Sequence, residues 1–348
     1  MTLDNVPNTA QSPNKVTHKV TQAPKSRVSG VILIDKPKGL TSQQVVSKVK
    51  YLLKSPVHDS KKAGHTGTLD PMATGLLPVC LGEATKFSHY QLDADKSYQA
   101  TIKLGIQTDT GDAEGKIVAE KPVPKLSLSE LEQATAKFLG DILQVPPMYS
   151  ALKKDGKKLY EYAREGIEIE RPARPITIKN LSLALTEAAD ELLLTVTCSK
   201  GTYVRVLAED IAQALGTLGH LTVLRRIQVG HFDIEQALTL DQLESMTHEQ
   251  RLQQLQDIDA CINDVATLAV TEAQCERLHM GQRLNVYEQL DDTLIQYLKE
   301  SLTKDDQQDL GDDRLSCDIK LVTAEGSFLG LGELELNGRL QPKKMIQR

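Results

Sequence analysis

No apolar run in this 348-residue chain approaches the roughly 18–20 residues that a membrane-spanning helix requires. The first 28 residues are polar and lack the apolar core of a secretory signal peptide. We therefore expect a disordered polar tail over residues 1–28, a cytoplasmic location and no membrane partner.

Cysteine is scarce and its spacing is uninformative. The five cysteines form neither a CxxC pair nor a CxxC…HxxxH array. A structural zinc site needs closely spaced thiolate and imidazole ligands, so we expect no such site and no bound metal. We expect reduced, mostly buried thiols at Cys80, Cys198, Cys261, Cys275 and Cys317.

Charge is distributed unevenly along a chain whose net charge is −6. Residues 1–90 carry 12 Lys and Arg against 5 Asp and Glu, a net +7, whereas residues 241–348 carry 11 against 21, a net −10. A basic front and an acidic rear are typical of a protein that docks a polyanion on one side. A merely uneven solvated surface explains the same gradient equally well.

The hydrophobic pattern predicts a mixture of strands and helices. Strands are predicted over 31–34, 98–104, 176–185 and 191–198. Helices are predicted over 157–165 and 204–215, and after Thr41 and Ser127. Thr41 with Gln44 and Ser127 with Glu130 fit capping boxes, in which side chain and backbone cap each other.

The length and these elements predict two domains behind the polar tail. A large mixed domain spans 29–262, and a small β-rich domain spans 263–348. The second domain contains an acidic insertion over about 288–316, where ten acids stand against three bases between residues 288 and 318. We interpret this insertion as a solvated linker that can hold a short helix. Asn337-Gly338 predicts a terminal hairpin.

The stretch GHTGTLDPMATGLLPVCLGEATK contains one isolated carboxylate, Asp70, more than ten positions from any other. Pro71 forces Asp70 out of helical conformation. Such a residue can be a helix cap, a metal ligand, a general base or a nucleophile. A metal site needs further ligands, and only His65 is near in sequence. A retaining glycosidase needs a second carboxylate about 5 Å away, and none is near in sequence.

Five segments, in order, resemble the motifs of the bacterial TruB-type tRNA pseudouridine(55) synthases. The resemblance runs from about residue 30 to 240 and resumes weakly in the terminal hairpin. The segments are VILIDKPKGLTS, GHTGTLDPMATGLLPVCLGEATK, KSYQATIKLGIQTDTGDAEG, VPPMYSALKKDGKKLYEYAREG and CSKGTYVRVLAEDIAQALGTLGHLTVLRRIQVGHF.

This resemblance implies an α+β pseudouridine synthase fold, with a mixed, largely antiparallel central sheet and a small β-rich PUA-like C-terminal domain. It implies isomerisation of uridine 55 in the T-loop of tRNA, so the expected partner is the T-arm of tRNA. It implies one catalytic aspartate and no cofactor. We also expect a monomer.

The resemblance assigns roles to six positions. Asp70 is the expected catalytic carboxylate, acting as nucleophile or base, and Arg205 is its guanidinium partner. The expected substrate-binding residues are His65, which contacts RNA, Tyr98, which stacks on the flipped base, Tyr203, which lies beside the uracil, and Leu224, which packs on the base.

Taken without the resemblance, several of these residues have simpler readings. Tyr98 fits a core aromatic on a strand, Arg205 a surface ion pair and Leu224 a core residue. Asp109 and Asp112 in TDTGD fit turn acids better than groups that orient the site. The basic residues Lys36, Lys38, Lys61, Lys62 and Lys86 are candidate phosphate contacts.

Two other functions fit the same sequence. One is a catalytically silent tRNA-binding chaperone on the same fold, and the intact set of site residues disfavours it. The other is a guide-RNA-dependent relative that works within a ribonucleoprotein. Such a relative is expected to carry partner-binding extensions, and the polar N-terminal tail shows no sign of them.

Overall fold

The computed structural model describes residues 25–305 and 316–347. The helices of this part are α1 Ser42–Leu52, α2 Ser88–Asp93, α3 Leu128–Phe138, α4 Leu159–Arg164, α5 Val204–Ala214, α6 Leu240–Ser245, α7 His248–Gln253, α8 Glu272–His279 and α9 Asp292–Asp305. The strands up to residue 158 are β1 Ser26–Arg27, β2 Gly30–Lys36, β3 His58–Asp59, β4 Ala63–His65, β5 Thr74–Leu81, β6 Lys96–Leu104, β7 Ile106–Thr108, β8 Ile117–Glu120, β9 Gly140–Gln144, β10 Lys153–Lys154 and β11 Lys157–Lys158. The later strands are β12 Arg174–Leu185, β13 Glu191–Cys198, β14 Gly219–Val229, β15 Phe232–Asp233, β16 Leu238–Thr239, β17 Thr267–Ala269, β18 Leu284–Asn285, β19 Ser316–Val322, β20 Phe328–Glu335 and β21 Arg339–Met345.

A central sheet organises residues 30–239. Its main path runs β16-β2-β5-β14-β6-β13-β12-β9, with β4 and β15 paired at its sides. The β16–β2 and β5–β14 pairs are parallel and the other pairs on the path are antiparallel. The predicted fold class, α+β with a mixed and largely antiparallel sheet, is confirmed.

Two apolar clusters cover different strands of the central sheet. In the first, α3 and α5 pack on β6, β12, β13 and β14 through residues such as Ile102, Leu194 and Leu207. In the second, α1 packs on β2 and β5, with Val45 and Val49 fully buried. Both predicted capping boxes are present, at Thr41 for α1 and at Ser127 for α3.

A five-stranded sheet, ordered β17-β19-β20-β21-β18, forms the C-terminal part. The predicted hairpin joins β20 to β21, and Gly338 there has φ +81°. The acidic insertion contains the expected helix, α9, but the helix is not a solvated linker. Its Leu294, Leu298 and Leu302 are buried, and the first two belong to the core of this sheet. Residues 306–315 of the insertion lie outside the described residues.

An apolar junction joins the two parts. Phe87 meets Phe328 edge-on with ring centroids 5.3 Å apart. Around them, Leu33 and Phe232 of the first part share a cluster with Leu331 of the second. The hydroxyl of Tyr90 donates a hydrogen bond to the Asp318 carboxylate across the junction.

Two sequence predictions need adjustment, and a third is confirmed. The tail predicted over 1–28 lies largely outside the described residues, but Ser26–Arg27 forms β1 and Val28 is buried. The helix predicted from residue 157 starts at Leu159, because Asp155 (φ +52°) and Gly156 (φ +82°) turn the chain into the β10–β11 hairpin. The thiols are free as expected, and four of the five are buried.

Candidate active site

Asp70 lies in the loop between β4 and β5, and the neighbouring turn holds that loop in place. The Lys36 ammonium donates to the carbonyls of Ala73 at 2.6 Å and Pro71 at 3.4 Å. The N–H of Gly39 donates to the same Pro71 carbonyl at 2.7 Å. The loop is therefore fixed on its C-terminal side by hydrogen bonds to its own carbonyls.

The pairing of β14 with both β5 and β6 brings the base-binding candidates to this loop. Leu224 pairs with Ala100, and Arg226 pairs with Tyr98 across the antiparallel ladder. On the other side, Arg226 pairs with Gly75 of β5. A Cβ on Gly75 would lie 2.2 Å from the Arg226 carbonyl oxygen, so this close crossing requires glycine.

Arg205 enters from the first turn of α5 and meets the catalytic candidate directly. Its Nη2 lies 2.9 Å from Oδ2 of Asp70. The guanidinium is 7% exposed and the carboxylate is 39% exposed, so the ion pair has a buried basic end and an acidic end open to the cleft. The predicted pairing of residues 70 and 205, 135 positions apart, is therefore present in the structure.

Arg205 also holds three other groups. Nη1 donates to the carbonyl of Thr110 at 2.7 Å and lies 3.3 Å from Oδ2 of Asp112, while Nη2 donates to the carbonyl of Tyr149 at 2.9 Å. The guanidinium thus links two carboxylates and two loops. This rigid, multidentate contact is a geometry that lysine cannot reproduce.

A cleft of about 360 Å³ opens over the ion pair. Tyr98, Tyr203 and Leu224 line it together with Asp70 and Arg205. Five of the six predicted site residues therefore converge on one cleft. The expectation that Tyr98 is a core aromatic is also met in part, because its ring packs against the apolar cluster under the sheet.

His65, the sixth predicted residue, does not line this cleft. It ends β4, and its Nδ1 accepts a hydrogen bond from the N–H of Gly67 at 3.3 Å. Burial, and then the nearby Arg226 charge, lower the pKa of His65 below its usual value. The expected role of His65 in contacting RNA stays a prediction.

Besides Arg205, two buried cations line the cleft. Arg226 is 1% exposed and donates to the carbonyls of Leu76 at 2.8 Å and Gly67 at 3.1 Å, and it hydrogen-bonds the Tyr98 hydroxyl. Lys96 is 6% exposed and donates to the carbonyl of Gln91 at 2.9 Å, among others. Burial lowers the pKa of Lys96 to about 8. These cations fix backbone and the Tyr98 ring.

Asp112 corrects one sequence interpretation. Its Oδ1 does accept turn bonds, from the Thr110 hydroxyl at 2.6 Å and the N–H of Glu114 at 3.1 Å. Its other oxygen faces Arg205, and the side chain is 6% exposed. Asp112 is therefore a turn acid and also an orienting group, whereas Asp109 bonds the N–H of Lys116 within the turn.

Lys36 and Lys86 correct another interpretation. Lys36 is fully buried, and burial lowers its pKa to about 8. Lys86 pairs with Glu83 at 2.7 Å and donates to the Met345 carbonyl at 2.8 Å. Both lysines hold structure here and neither is poised for phosphate. Lys38, Lys61 and Lys62 are exposed and stay candidate contacts.

The sequence did not predict Arg226 as a site residue, nor the contacts that Arg205 makes besides Asp70. One signal was present for Arg226: it lies two residues after Leu224 on a strand, so both share one sheet face. The contacts of Arg205 with the carbonyls of Thr110 and Tyr149 carry no sequence signal, because any residue supplies a carbonyl.

Residues 25–305 and 316–347 contain no group of three or more His, Cys, Asp or Glu placed to hold a metal ion. Within those same ranges, every helix is too short or too polar to cross a membrane.

Two solved structures share the fold of this chain. Cbf5 in a Cbf5-Nop10-Gar1 complex matches with a TM-score of 0.60 at 23% identity, covering 89% of this chain and 79% of that one. A chain from an H/ACA RNP bound to a substrate RNA containing 2'-deoxyuridine matches with a TM-score of 0.62 at 21% identity, covering 92% and 85%.

Sequence comparison identifies the family. Residues 55–204 match the TruB family pseudouridylate synthase N-terminal domain, and residues 205–269 match the tRNA pseudouridylate synthase B C-terminal domain. The tRNA pseudouridine synthase B of Psychrobacter cryohalolentis is 60% identical over 93% of this chain and 95% of its own length. That of Aromatoleum aromaticum is 47% identical over 92% and 93%. The chain belongs to the TruB family of pseudouridylate synthases, which confirms the predicted family, fold and enzyme class.

Proposed function

We propose that this chain isomerises uridine 55 in the T-loop of tRNA to pseudouridine, with Asp70 as its one catalytic carboxylate. The observation that supports this most strongly is the 2.9 Å ion pair of Asp70 with Arg205 at the base of the cleft. The relatives at 60% and 47% identity carry the name tRNA pseudouridine synthase B, which supplies the substrate class.

The reaction rearranges bonds within one nucleotide. The bond from ribose C1′ to N1 of uracil breaks, the base rotates, and a bond from C1′ to C5 forms. The proton at C5 leaves and N1 gains a proton, so the product is an isomer and no redox partner is consumed. Asp70 acts as nucleophile or base, which divides one difficult step into easier ones. Arg205 holds the carboxylate and compensates its charge.

The cleft walls suit a base that has left its stack. A base inside a folded RNA loop must be flipped out before a side chain can reach its glycosidic bond. The Tyr98 ring offers a stacking face worth about 1–3 kcal/mol per base. Burial raises the pKa of Tyr98 and of Tyr203, so both are neutral phenols at pH 7. They pack and donate hydrogen bonds, and Leu224 closes the apolar side.

A lysine-rich hairpin beside the cleft suits the RNA backbone. Residues 149–152 line the cleft and lead directly into β10, where Lys153 and Lys154 are exposed. Each phosphate contact should contribute about one unit to the slope of log K against log salt. The double variant Lys153→Gln with Lys154→Gln should therefore lower that slope by about two.

The test uses the purified chain, an unmodified tRNA transcript labelled with tritium at C5 of uridine, and no other RNA. The proposal expects tritium release from this transcript and none from a transcript with cytidine at position 55. Release only after a guide RNA is added would favour the guide-dependent alternative. Tight binding without release would favour the silent chaperone.

We further infer a cytoplasmic monomer that needs no metal or cofactor, with domains at 29–262 and 263–348. The gap between β16 of the central sheet and β17 of the C-terminal sheet supports that boundary. Light scattering should give the mass of one chain, and dialysis against a chelator should leave tritium release unchanged. Limited proteolysis that cuts within 29–239 before 240–266 would contradict the boundary.

A further inference from the structure

Two buried polar side chains each bind both polar backbone atoms of a single residue beside the ion pair. Ser42 of α1 is 2% exposed. Its hydroxyl accepts from the N–H of Leu69 at 2.8 Å and donates to the Leu69 carbonyl at 3.0 Å. Leu69 immediately precedes Asp70.

Gln144 of β9 makes the equivalent contact on the other side of the cleft. It is 3% exposed. Its Oε1 accepts from the N–H of Tyr203 at 2.8 Å, and its Nε2 donates to the Tyr203 carbonyl at 3.2 Å. Tyr203 is the N-cap residue of α5 and its side chain makes no capping bond, so the Gln144 amide secures the start of the helix that carries Arg205.

These contacts can position Asp70 and Arg205 because they restrain the backbone immediately before each of these charged residues. The N–H and the C=O of one residue belong to the two peptide units that flank its Cα, so neither unit can rotate without breaking a buried hydrogen bond. The Asp70 loop is already tied on its C-terminal side by Lys36, and Ser42 ties the N-terminal side. Gln144 and Ser42 come from elements that are far apart in sequence, so packing of the whole domain sets the spacing of the two backbones.

We propose that Ser42 and Gln144 are positioning residues that set the distance and angle of the Asp70–Arg205 pair, through the backbones of Leu69 and Tyr203. This inference rests on the proposed function, because its readout is turnover. A displacement of about 1 Å in a catalytic group can cost on the order of 100-fold in rate.

The test compares Ser42→Ala and Gln144→Met with a matched control, Thr217→Val. Thr217 is 1% exposed and donates to the Pro122 carbonyl at 3.0 Å, beyond the far end of α5 from Arg205. All three changes remove a buried side-chain bond to backbone and keep similar volume. The measurements are the single-turnover rate at saturating enzyme, the Kd for tRNA and the thermal midpoint, with rates measured well below each midpoint.

Ser42→Ala and Gln144→Met should lower the single-turnover rate about 10- to 100-fold, with the Kd within about threefold of the starting protein. Thr217→Val should lower the thermal midpoint similarly and leave the rate unchanged. If a variant fails to fold, Ser42→Cys and Gln144→Glu replace it, since each retains part of the hydrogen bonding. These replacements should also lower the single-turnover rate, but by a smaller factor.

Rates no lower than that of Thr217→Val, or a loss confined to tRNA affinity, would overturn the inference. An unchanged chain that releases no tritium would overturn the proposed function, and this inference with it. If the unchanged chain and Thr217→Val are active, and Ser42→Ala and Gln144→Met turn over at the same rate, this inference alone would be overturned.

Discussion

The two parts of the molecule differ in what they bury. Among the described residues, every buried polar or charged side chain lies between Lys36 and Arg226, and residues 263–347 contribute none. The C-terminal core is built from side chains such as Leu298, Ile319 and Leu340. Burying a polar group costs free energy unless the group is hydrogen-bonded, so the buried polar side chains of the first part need specific partners.

The partners of the four buried cations show what this burial achieves. Lys36, Lys96, Arg205 and Arg226 all donate to backbone carbonyls, three of them on loops around the cleft. The catalytic part therefore accepts the cost of buried cations in order to fix loops, whereas the C-terminal part is stabilised by apolar packing. Substitutions that release the loops around the cleft should lower the rate, and substitutions in the C-terminal core should lower stability and leave the rate unchanged.

The largest expected effect comes from Asp70→Asn. The amide keeps the shape and can still accept from Arg205, but it cannot act as nucleophile or base. Tritium release should fall by on the order of 10⁴-fold or more, while tRNA binding is retained. Filter binding on the same preparation provides the control, and release near the normal rate would remove Asp70 from the chemistry.

Arg205→Met should come next, with a loss of about 10²–10³-fold in turnover. The change leaves the buried Asp112 without its cationic partner and removes the donor to the carbonyls of Thr110 and Tyr149. Stability should fall as well, by about 3–5 kcal/mol.

A matched change in the C-terminal part sharpens this result. Lys343→Met breaks ion pairs with Asp318 and Glu333, but its side chain is 37% exposed. We expect about 0–1 kcal/mol of destabilisation and unchanged turnover. If Arg205→Met and Lys343→Met lowered turnover and stability equally, the proposed difference between the two parts would be wrong.

Tyr98→Leu should lower turnover about 10- to 100-fold through loss of base stacking, with a smaller effect on the thermal midpoint. Tyr98→Phe keeps the ring and removes the hydroxyl that Arg226 bonds. It should retain most of the activity on T-arm hairpin substrates. A collapse in thermal stability that matches the loss in turnover would restore the reading of Tyr98 as a core residue alone.

Leu298→Ala should lower stability without lowering turnover, the opposite of the effect expected for Tyr98→Leu. Leu298 is fully buried in α9, so the cavity should cost about 2–5 kcal/mol in unfolding. Turnover on an isolated T-arm hairpin should stay within about twofold of normal, because α9 belongs to the C-terminal core and not to the cleft. Chemical denaturation measures the first quantity and tritium release the second.

The smallest effect concerns Glu83, which joins the two parts. Its side chain is 4% exposed and accepts from Lys86 at 2.7 Å and the N–H of Gln347 at 2.9 Å. Burial opposes the ionised form, but Lys86, Gln347 and Arg27 together lower the pKa of Glu83. A lowered folded pKa means that the stabilisation is present above the unfolded value of 4.5 and is lost as pH falls through the folded value.

Glu83→Gln should therefore destabilise the protein by about 1 kcal/mol at pH 7. Below the folded pKa of Glu83, where both proteins carry a neutral side chain, the difference should vanish. Thermal midpoints across that pH range provide the measurement. A difference independent of pH would show that the carboxylate charge does not hold the junction.

Sequence alone predicted local features and motif residues well. Thr41 with Gln44 and Ser127 with Glu130 identified two helix starts, because capping depends on neighbours only. Asp70 and Arg205 were paired through family motifs. The contacts of Asp112 and Lys36 were missed, because they depend on chain crossings that no local pattern encodes. The inner face of α9 was missed because its leucines stand among many acids.

The measurement that tests the central claim most directly is chemical mapping of the modified nucleotide after tRNA transcript is incubated with the purified chain or with its Asp70→Asn variant. One ion-paired carboxylate acting on a flipped T-loop uridine predicts a single pseudouridine at position 55 with the unchanged chain and none with the variant. The same mark from the variant, or a mark at another position, would contradict the account.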